Sequence, residues 1–296
     1  MDRSGRAFDW WWMALAGLVV TGGLLVLGRR REGRAVERTV GRLLGDDRPT
    51  RGRTHDDTTE STGPVDGHDL PAPVQRYFDT VLPERDPGTA AVRIEQSGDL
   101  RLGGVDSAWK PFRATHHAVV GRPGFVWDAT VDLLPFVSAR IRDTFVDGEG
   151  SARVTLFGAF PVAGADPSPE LNEAELQRYL AEAVWYPTAL LPENGVRWEG
   201  IDDRTARATL ERGDTAASLV FHFSAGNEVE RVHATHRYRR VDGGFEPTPW
   251  TGLWREYEVR DGVRVPTAGE VVWHLPDGDL RAWRGYVDEV ERRRSA

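Results

Sequence analysis

Three charged side chains recur at helical spacing, Glu175, Arg178 and Glu182, at i, i+3 and i+7, so they share one helix face. At the mouth of a pocket, Arg178 and Glu182 would bind the polar head of a ligand. On a solvated face the same residues would form ordinary intrahelical pairs worth about 0.2–0.5 kcal/mol each, and spacing alone favours this plainer reading. Tyr179 and Trp185 lie on the same segment, while Trp254 and Tyr257 belong to a stretch that mixes them with Arg255 and Glu256. Aromatic rings with a few polar groups are what an apolar ligand pocket uses. Arg178, Tyr179, Glu182, Trp185, Trp254 and Tyr257 are therefore the candidate ligand-binding residues. The alternative is that a large curved sheet needs bulky filling.

Other chemistries find less support. His116 and His117 are adjacent, and His233 and His236 are three apart, so each pair points to opposite strand faces; His222 and His274 stand alone. None of these spacings resembles a helical two-histidine zinc site, although long-range convergence with Asp128, Asp132 or Glu256 stays open. The chain has no cysteine, which excludes disulfides, thiolate catalysis and cysteine-based zinc sites. Gly121-Arg122-Pro123-Gly124 and Gly103-Gly104 read as hairpin turns rather than phosphate cradles. No catalytic residue, metal or cofactor is assigned. A net charge of −8 over 296 residues argues against nucleic acid as a main partner.

The elements that must position these residues are mostly strands. Residues 92–95, 125–132 and 139–145 alternate apolar with polar side chains, and residues 153–157 form another short strand. Further strands are expected over residues 196–201, 206–211, 217–223, 228–239, 253–259, 264–274 and 280–289, with Asp261-Gly262 and Asp277-Gly278 among the turns. One strong helix interrupts the series: Ser168 caps it, Pro169 opens it, and Leu176, Tyr179, Leu180, Ala183 and Val184 line one side up to Tyr186-Pro187. A shorter helix entered through Pro71 carries Val74, Tyr77, Phe78, Val81 and Leu82. The expected fold is mainly β (α+β): a large curved antiparallel sheet, half-barrel or barrel-like, covered by the mid-chain helix.

Leu70-Pro71-Ala72-Pro73-Val74-Gln75-Arg76-Tyr77, the helix from Glu175 through Arg178-Tyr179-Leu180, Glu182, Trp185 and Pro187, and the closing stretch through Trp283-Arg284-Gly285 resemble an uncharacterised domain family of bacteria and archaea. The resemblance spans residues 70–291 and brings no established function with it. The strand–helix–strand order is more distantly similar to the LolA/LolB lipoprotein-carrier half-barrel, in architecture without shared motifs. That similarity implies acyl chains held between sheet and helices, outside the cytoplasm.

Residues 10–28 carry no charge; these 19 residues would span roughly 28 Å as a helix, just enough for a bilayer core. Trp10, Trp11 and Trp12 suit one interface, and Arg29, Arg30 and Arg31 form a stop-transfer flank at the other, so residues 1–28 are expected to be an uncleaved N-terminal transmembrane anchor. The heavier arginine flank places the domain in the cytoplasm by the positive-inside rule; extracytoplasmic placement, which the carrier similarity requires, is the alternative. Residues 29–44 form a basic helix, with Arg30, Arg34, Arg38 and Arg42 on one face and Val36, Val40, Leu43 and Leu44 on another. It would either lie on an anionic membrane surface or continue as a solvated helix. Residues 45–69 are expected to be a disordered linker and residues 70–296 a single β-rich domain. The expected function is that of a membrane-anchored, non-enzymatic binding module for a hydrophobic or lipid-like ligand, partnered by the lipid bilayer. A filled-core interaction domain, and a hydrolase using acids and histidines in the sheet cavity, are the alternatives.

Overall fold

A computed structural model describes residues 9–45, 70–83 and 88–294, with side chains from residue 26 onward. The chain runs through α1 (Asp9–Gly45) and α2 (Ala72–Val81), then lays down β1 (Thr89–Leu100), β2 (Lys110–Val119), β3 (Gly124–Leu134), β4 (Val137–Val146), β5 (Glu149–Leu156) and β6 (Phe160–Ala165). It crosses through α3 (Pro169–Glu182) and short 3-10 turns. It continues as β7 (Arg197–Asp202), β8 (Thr205–Arg212), β9 (Thr215–Phe223), β10 (Val229–Val241), β11 (Gly244–Arg260), β12 (Val263–Leu275) and β13 (Gly278–Arg294).

These 13 strands form one antiparallel sheet ordered β6-β5-β4-β3-β2-β1-β13-β12-β11-β10-β9-β8-β7. First and last strands are thus neighbours at its centre, in register from Thr89↔Arg294 to Leu100↔Trp283. The chain steps outward from β1 to one edge, crosses to the other through α3, and steps back. A sheet this wide curls, and Arg240 of β10 reaches across to donate to the Gly164 carbonyl of β6. The result is a half-barrel with α3 across its concave side.

Alternation along the strands sets the two faces. On β3, Phe125, Trp127, Ala129 and Val131 join the main core, whereas Val126 belongs to a separate cluster on the convex side. α3 starts as its sequence dictates: the Ser168 hydroxyl accepts from the Leu171 amide at 3.2 Å, with Pro169 at the first helical position. Leu171, Leu176, Tyr179, Leu180 and Ala181 then bury against the concave face. α2 fills another part of that face with Val74, Tyr77, Phe78 and Val81; the Tyr77 and Phe223 rings lie 5.6 Å apart.

Two strands escape the period-2 reading. β6 is made of Phe160, Pro161, Val162, Ala163, Gly164 and Ala165 and is exposed along most of its length, so it shows no alternation. β2 is short of apolar markers, although its Phe112, Ala114, His116 and Ala118 face inward.

The basic segment calls for a correction. The C-terminal part of the apolar stripe of α1 is covered by protein: Leu43, with Val40 and Leu44, packs on the convex side against Ala91, Val119, Val126 and Val146. Arg122 donates to the Leu43 carbonyl at 2.7 Å, Glu32 lies 3.4 Å from Arg142, and Arg29 donates to the Phe157 carbonyl at 2.9 Å. Arg30, Arg31, Arg34, Arg38 and Arg42 remain exposed. An amphipathic stripe states that a face must be covered, not by what; here a second apolar patch on the sheet covers it. Among the described residues no helix is long and apolar enough to cross a membrane. The side chains of residues 9–25, including Trp10, Trp11 and Trp12, lie outside the described residues, as does the expected linker over 46–69.

Leu43→Asp tests the docking of α1. Burying a carboxylate among Ala91, Val119 and Val126 costs more than the cluster returns. Hydrogen exchange should accelerate over residues 35–45 while β1 to β4 keep their protection. Unchanged protection in α1 would show that the helix is held by something other than this cluster.

Candidate functional site

α3 carries its charged face inward. Arg178 Nε donates to Glu182 Oε1 at 2.8 Å and Nη1 donates to Asp143 Oδ2 of β4 at 2.9 Å. Its guanidinium also stacks over Phe125 and Trp127, 5.1 and 4.9 Å from the ring centroids. Burial alone would weaken its protonation, but Glu182, Asp143 and Glu175 outweigh that and hold the group charged. The solvated-face reading therefore fails: side-chain exposure is 16% for Arg178 and 14% for Glu182.

Arg237 faces this cluster from β10. Nε and Nη2 both donate to the Ala174 carbonyl of α3, at 3.2 and 3.1 Å, and the guanidinium lies 5.3 Å from the centroids of both Trp250 and Trp273. A bulge brings it there. Ala234 pairs with Trp250 and Arg237 with Thr248, so β10 advances three residues while β11 advances two. The extra residue reverses the phase, and a side chain that strict alternation would put outside faces α3.

Glu175 completes the group. It is buried, Oε2 has no hydrogen-bond partner, and burial, reinforced by the charge of Asp143, pushes its carboxyl up to about 7 against the pull of Arg178 and Arg237. Glu182 is also shifted up, by burial, with Arg178 opposing. His116, fully buried, stacks with Phe125 and Tyr186, and its Nδ1 lies 3.7 Å from Glu182 Oε2. Burial first, then the charge of Arg178, keeps it neutral well below the usual imidazole range.

Asp143, Glu175, Arg178, Glu182 and Arg237 line a cavity of about 340 Å³ between α3 and the sheet. Trp127, Trp185, Trp250, Trp254, Trp273 and Trp283 supply much of its wall. Trp185 and Trp254 meet edge to face at 5.0 Å, and the Trp185 indole donates to the Pro266 carbonyl at 3.2 Å. The indole nitrogens of Trp250 and Trp254 are buried without a partner. Glycines make room for the rings. Gly269 pairs with Gly285 across β12 and β13, and a Cβ on Gly269 would sit 2.7 Å from the Trp254 ring.

Of the six candidate binding residues, the fold brings Arg178, Glu182, Trp185 and Trp254 to this cavity. Tyr179 and Tyr257 do not line it. The Tyr179 hydroxyl donates to the Val119 carbonyl at 2.8 Å, and that of Tyr257 to the Val229 carbonyl at 2.8 Å. Asp143, Glu175 and Arg237 went unassigned in the sequence. Glu175 was legible as a neighbour of Arg178 on one face; Arg237, set by a bulge, left no local signal.

The isolated histidines meet elsewhere. His233 and His274 lie 6.3 Å apart by ring centroid on the convex side, with Thr251 bonded to both, and His222 lies beside Arg231. Among the described residues no group of histidine and acidic side chains could hold a metal ion.

Fold and site together define a curled antiparallel half-barrel with a helix-covered aromatic cavity. Residues 68–291 match the family of unknown function DUF6920, and the chain belongs to that family. It is also similar to a LolA superfamily protein from Nitrosomonas europaea, at 12% identity over 76% of this chain and 93% of that one, with a TM-score of 0.39. A β-barrel-like protein of a domain of unknown function, DUF1849, from Brucella abortus is similar at 10% identity over 70% of this chain and 99% of that one, with a TM-score of 0.26. Neither likeness bears on function. Comparison with curated proteins finds no match.

The raised carboxyl of Glu175 has a pH signature. A group protonated more readily in the folded than in the unfolded chain stabilises the fold fully below its unfolded pKa, and that stability is lost as pH rises through the folded value. For Glu175 the window runs from 4.5 to about 7, a contribution on the order of 3 kcal/mol. Glu175→Gln should therefore gain stability relative to the native chain between pH 5 and pH 8 in urea denaturation. Parallel curves for the two proteins would place the group in a solvated setting.

Proposed function

We propose that the chain is a non-enzymatic binding module that takes an amphipathic, lipid-like ligand into the concave cavity, its apolar part against the tryptophans. The observation that carries this reading is the combination in one space of aromatic walls and buried polar atoms without partners, Glu175 Oε2 and the indole nitrogens of Trp250 and Trp254. A filled core leaves neither room nor unpaired groups. The volume of about 340 Å³ falls at the lower end of small-molecule sites, roughly 300–1,000 Å³. Family membership agrees with this reading without specifying it, since the family has no assigned function.

Hydrolysis in the same cavity is the second reading, favoured by Glu175, whose carboxyl near 7 suits proton transfer at neutral pH. It would have to proceed without a nucleophilic hydroxyl or thiol from serine, threonine or cysteine, none of which lines the cavity among the described residues.

The uncharged run over residues 10–28 supports a further part of the proposal, that the module is held at a membrane by its N-terminal segment with the bilayer as its ligand source. The arginine flank favours the cytoplasmic side. Protease added to intact cells would cut the chain only if the domain lay outside.

Binding itself is tested with the full chain and N-phenyl-1-naphthylamine, a neutral apolar probe. Fluorescence should rise with micromolar affinity. Ala152→Trp, which fills the cavity from β5, should weaken binding at least tenfold. A probe that binds both proteins alike, or neither, would refute an occupied cavity.

A further inference from the structure

Where the cavity lining reaches the β1 terminus, β6 and the β10–β11 hairpin, it includes the exposed side chains of Leu102 and Arg240, which mark its mouth. Three arginines stand among its lining residues there: Arg101 just beyond β1, and Arg239 and Arg240 near the end of β10. None of the three forms an ion pair among the described residues. Arg101 lies 4.5 Å from the centroid of the Trp109 ring, and Arg284 lies at the same distance from it. Its Nε is buried without an acceptor, and so is the Nε of Arg239. Glu246 pairs with Arg239 across the strands and still makes no bridge to it. Arg240 donates to the Gly164 carbonyl, which leaves its charge unanswered.

Such an arrangement is unusual for this chain. Its net charge is −8, and most of its half-buried arginines are answered: Arg140 by Asp128, Arg178 by Asp143 and Glu182, Arg264 by Glu228. A buried guanidinium N–H without an acceptor carries its full desolvation cost. The three carboxylates of the cavity do not relieve it, because Asp143 and Glu182 are engaged by Arg178 and Glu175 holds its proton near neutrality.

We propose that the cavity is specific for anionic amphiphiles, whose phosphate or carboxylate head is held at the mouth by Arg101, Arg239 and Arg240 while the chain enters between the tryptophans. The assignment rests on the occupied-cavity reading above and adds the sign of the head group. Guanidinium forks match phosphate and carboxylate oxygens in geometry as well as charge. A cationic head would face three like charges on its way in. A neutral hydroxyl head could accept from a buried Nε but brings no negative charge, so its bond to the guanidinium is the weaker one.

Isothermal titration of the full chain with dodecyl phosphate, dodecanol and dodecylamine at pH 6.5 separates the two layers of the argument. Dodecyl phosphate should bind at least tenfold more tightly than dodecanol, and dodecylamine more weakly than either. Arg101→Gln combined with Arg239→Gln should abolish the preference, bringing dodecyl phosphate affinity down to within about twofold of that for dodecanol on the same variant; each single variant should lose part of it. Equal affinity for phosphate and alcohol, or a preference for the amine, would overturn the anionic assignment while leaving the occupied cavity intact. Failure of all three probes to bind would overturn both. Preference retained in the double variant would move the head group away from these arginines and so refute the proposal.

Discussion

Arg178 leaves α3 toward the concave side of the sheet, where aromatic rings have replaced water, and its charge must be met there. A desolvated guanidinium is tolerable only with ionic and hydrogen-bonding partners in place. Glu182 supplies one a helical turn away, and Asp143 supplies another from β4. Phe125 and Trp127 cover its face. These contacts fix the rotation of α3 about its axis. Once rotated so, the helix has no choice about Glu175, which shares the face three residues earlier and is carried into the same low-dielectric space without a partner for Oε2. The poised carboxyl of Glu175 follows from satisfying Arg178.

The same constraint keeps the cavity from collapsing. α3 cannot sink further into the sheet, because Arg178 already stacks on Trp127 and Arg237 already spans from Trp250 and Trp273 to the Ala174 carbonyl. On the far wall, glycines at 269 and 285 let the tryptophans lie against the backbone instead of projecting into the groove. A Cβ at either position would drive a ring inward. Charged struts on one side and ring-over-glycine contacts on the other leave the space between them unfilled.

The broad fold and half the site could be read from residue pattern because both depend on local rules. Alternation gave nearly every strand its place, and the Ser168–Pro169 signal placed α3 within a residue or two. A shared face for Glu175, Arg178 and Glu182 follows from helical spacing. Which way that face turns does not follow from spacing alone: Asp143, far away in sequence, draws Arg178 inward beside the buried Leu176 and Leu180. Arg237 was hidden for a different reason: a bulge rephased its strand, and bulges depend on cross-strand pairing rather than on the residues nearby. Tyr257 shows the converse failure. Its strand has the right aromatic character, but its hydroxyl is spoken for by the Val229 carbonyl away from the cavity.

The packing of α1 changes what the segment after it can do. A linker sets the distance of a domain from its attachment point only if the attachment is otherwise free of the domain. Here the last turns of α1 are themselves part of the folded body, through Leu43 in the convex cluster and the Arg122 bond to its carbonyl. α2, at the other end of residues 46–69, is packed into the concave side through Val74, Tyr77 and Phe78. Residues 46–69 therefore join two places on one body, and their number cannot set how far the sheet stands from α1. That separation is fixed by contact, as is the outward direction of Arg30, Arg34, Arg38 and Arg42. Whatever surface α1 meets, it meets with these arginines, while Val40, Leu43 and Leu44 of its apolar side are spent on the sheet.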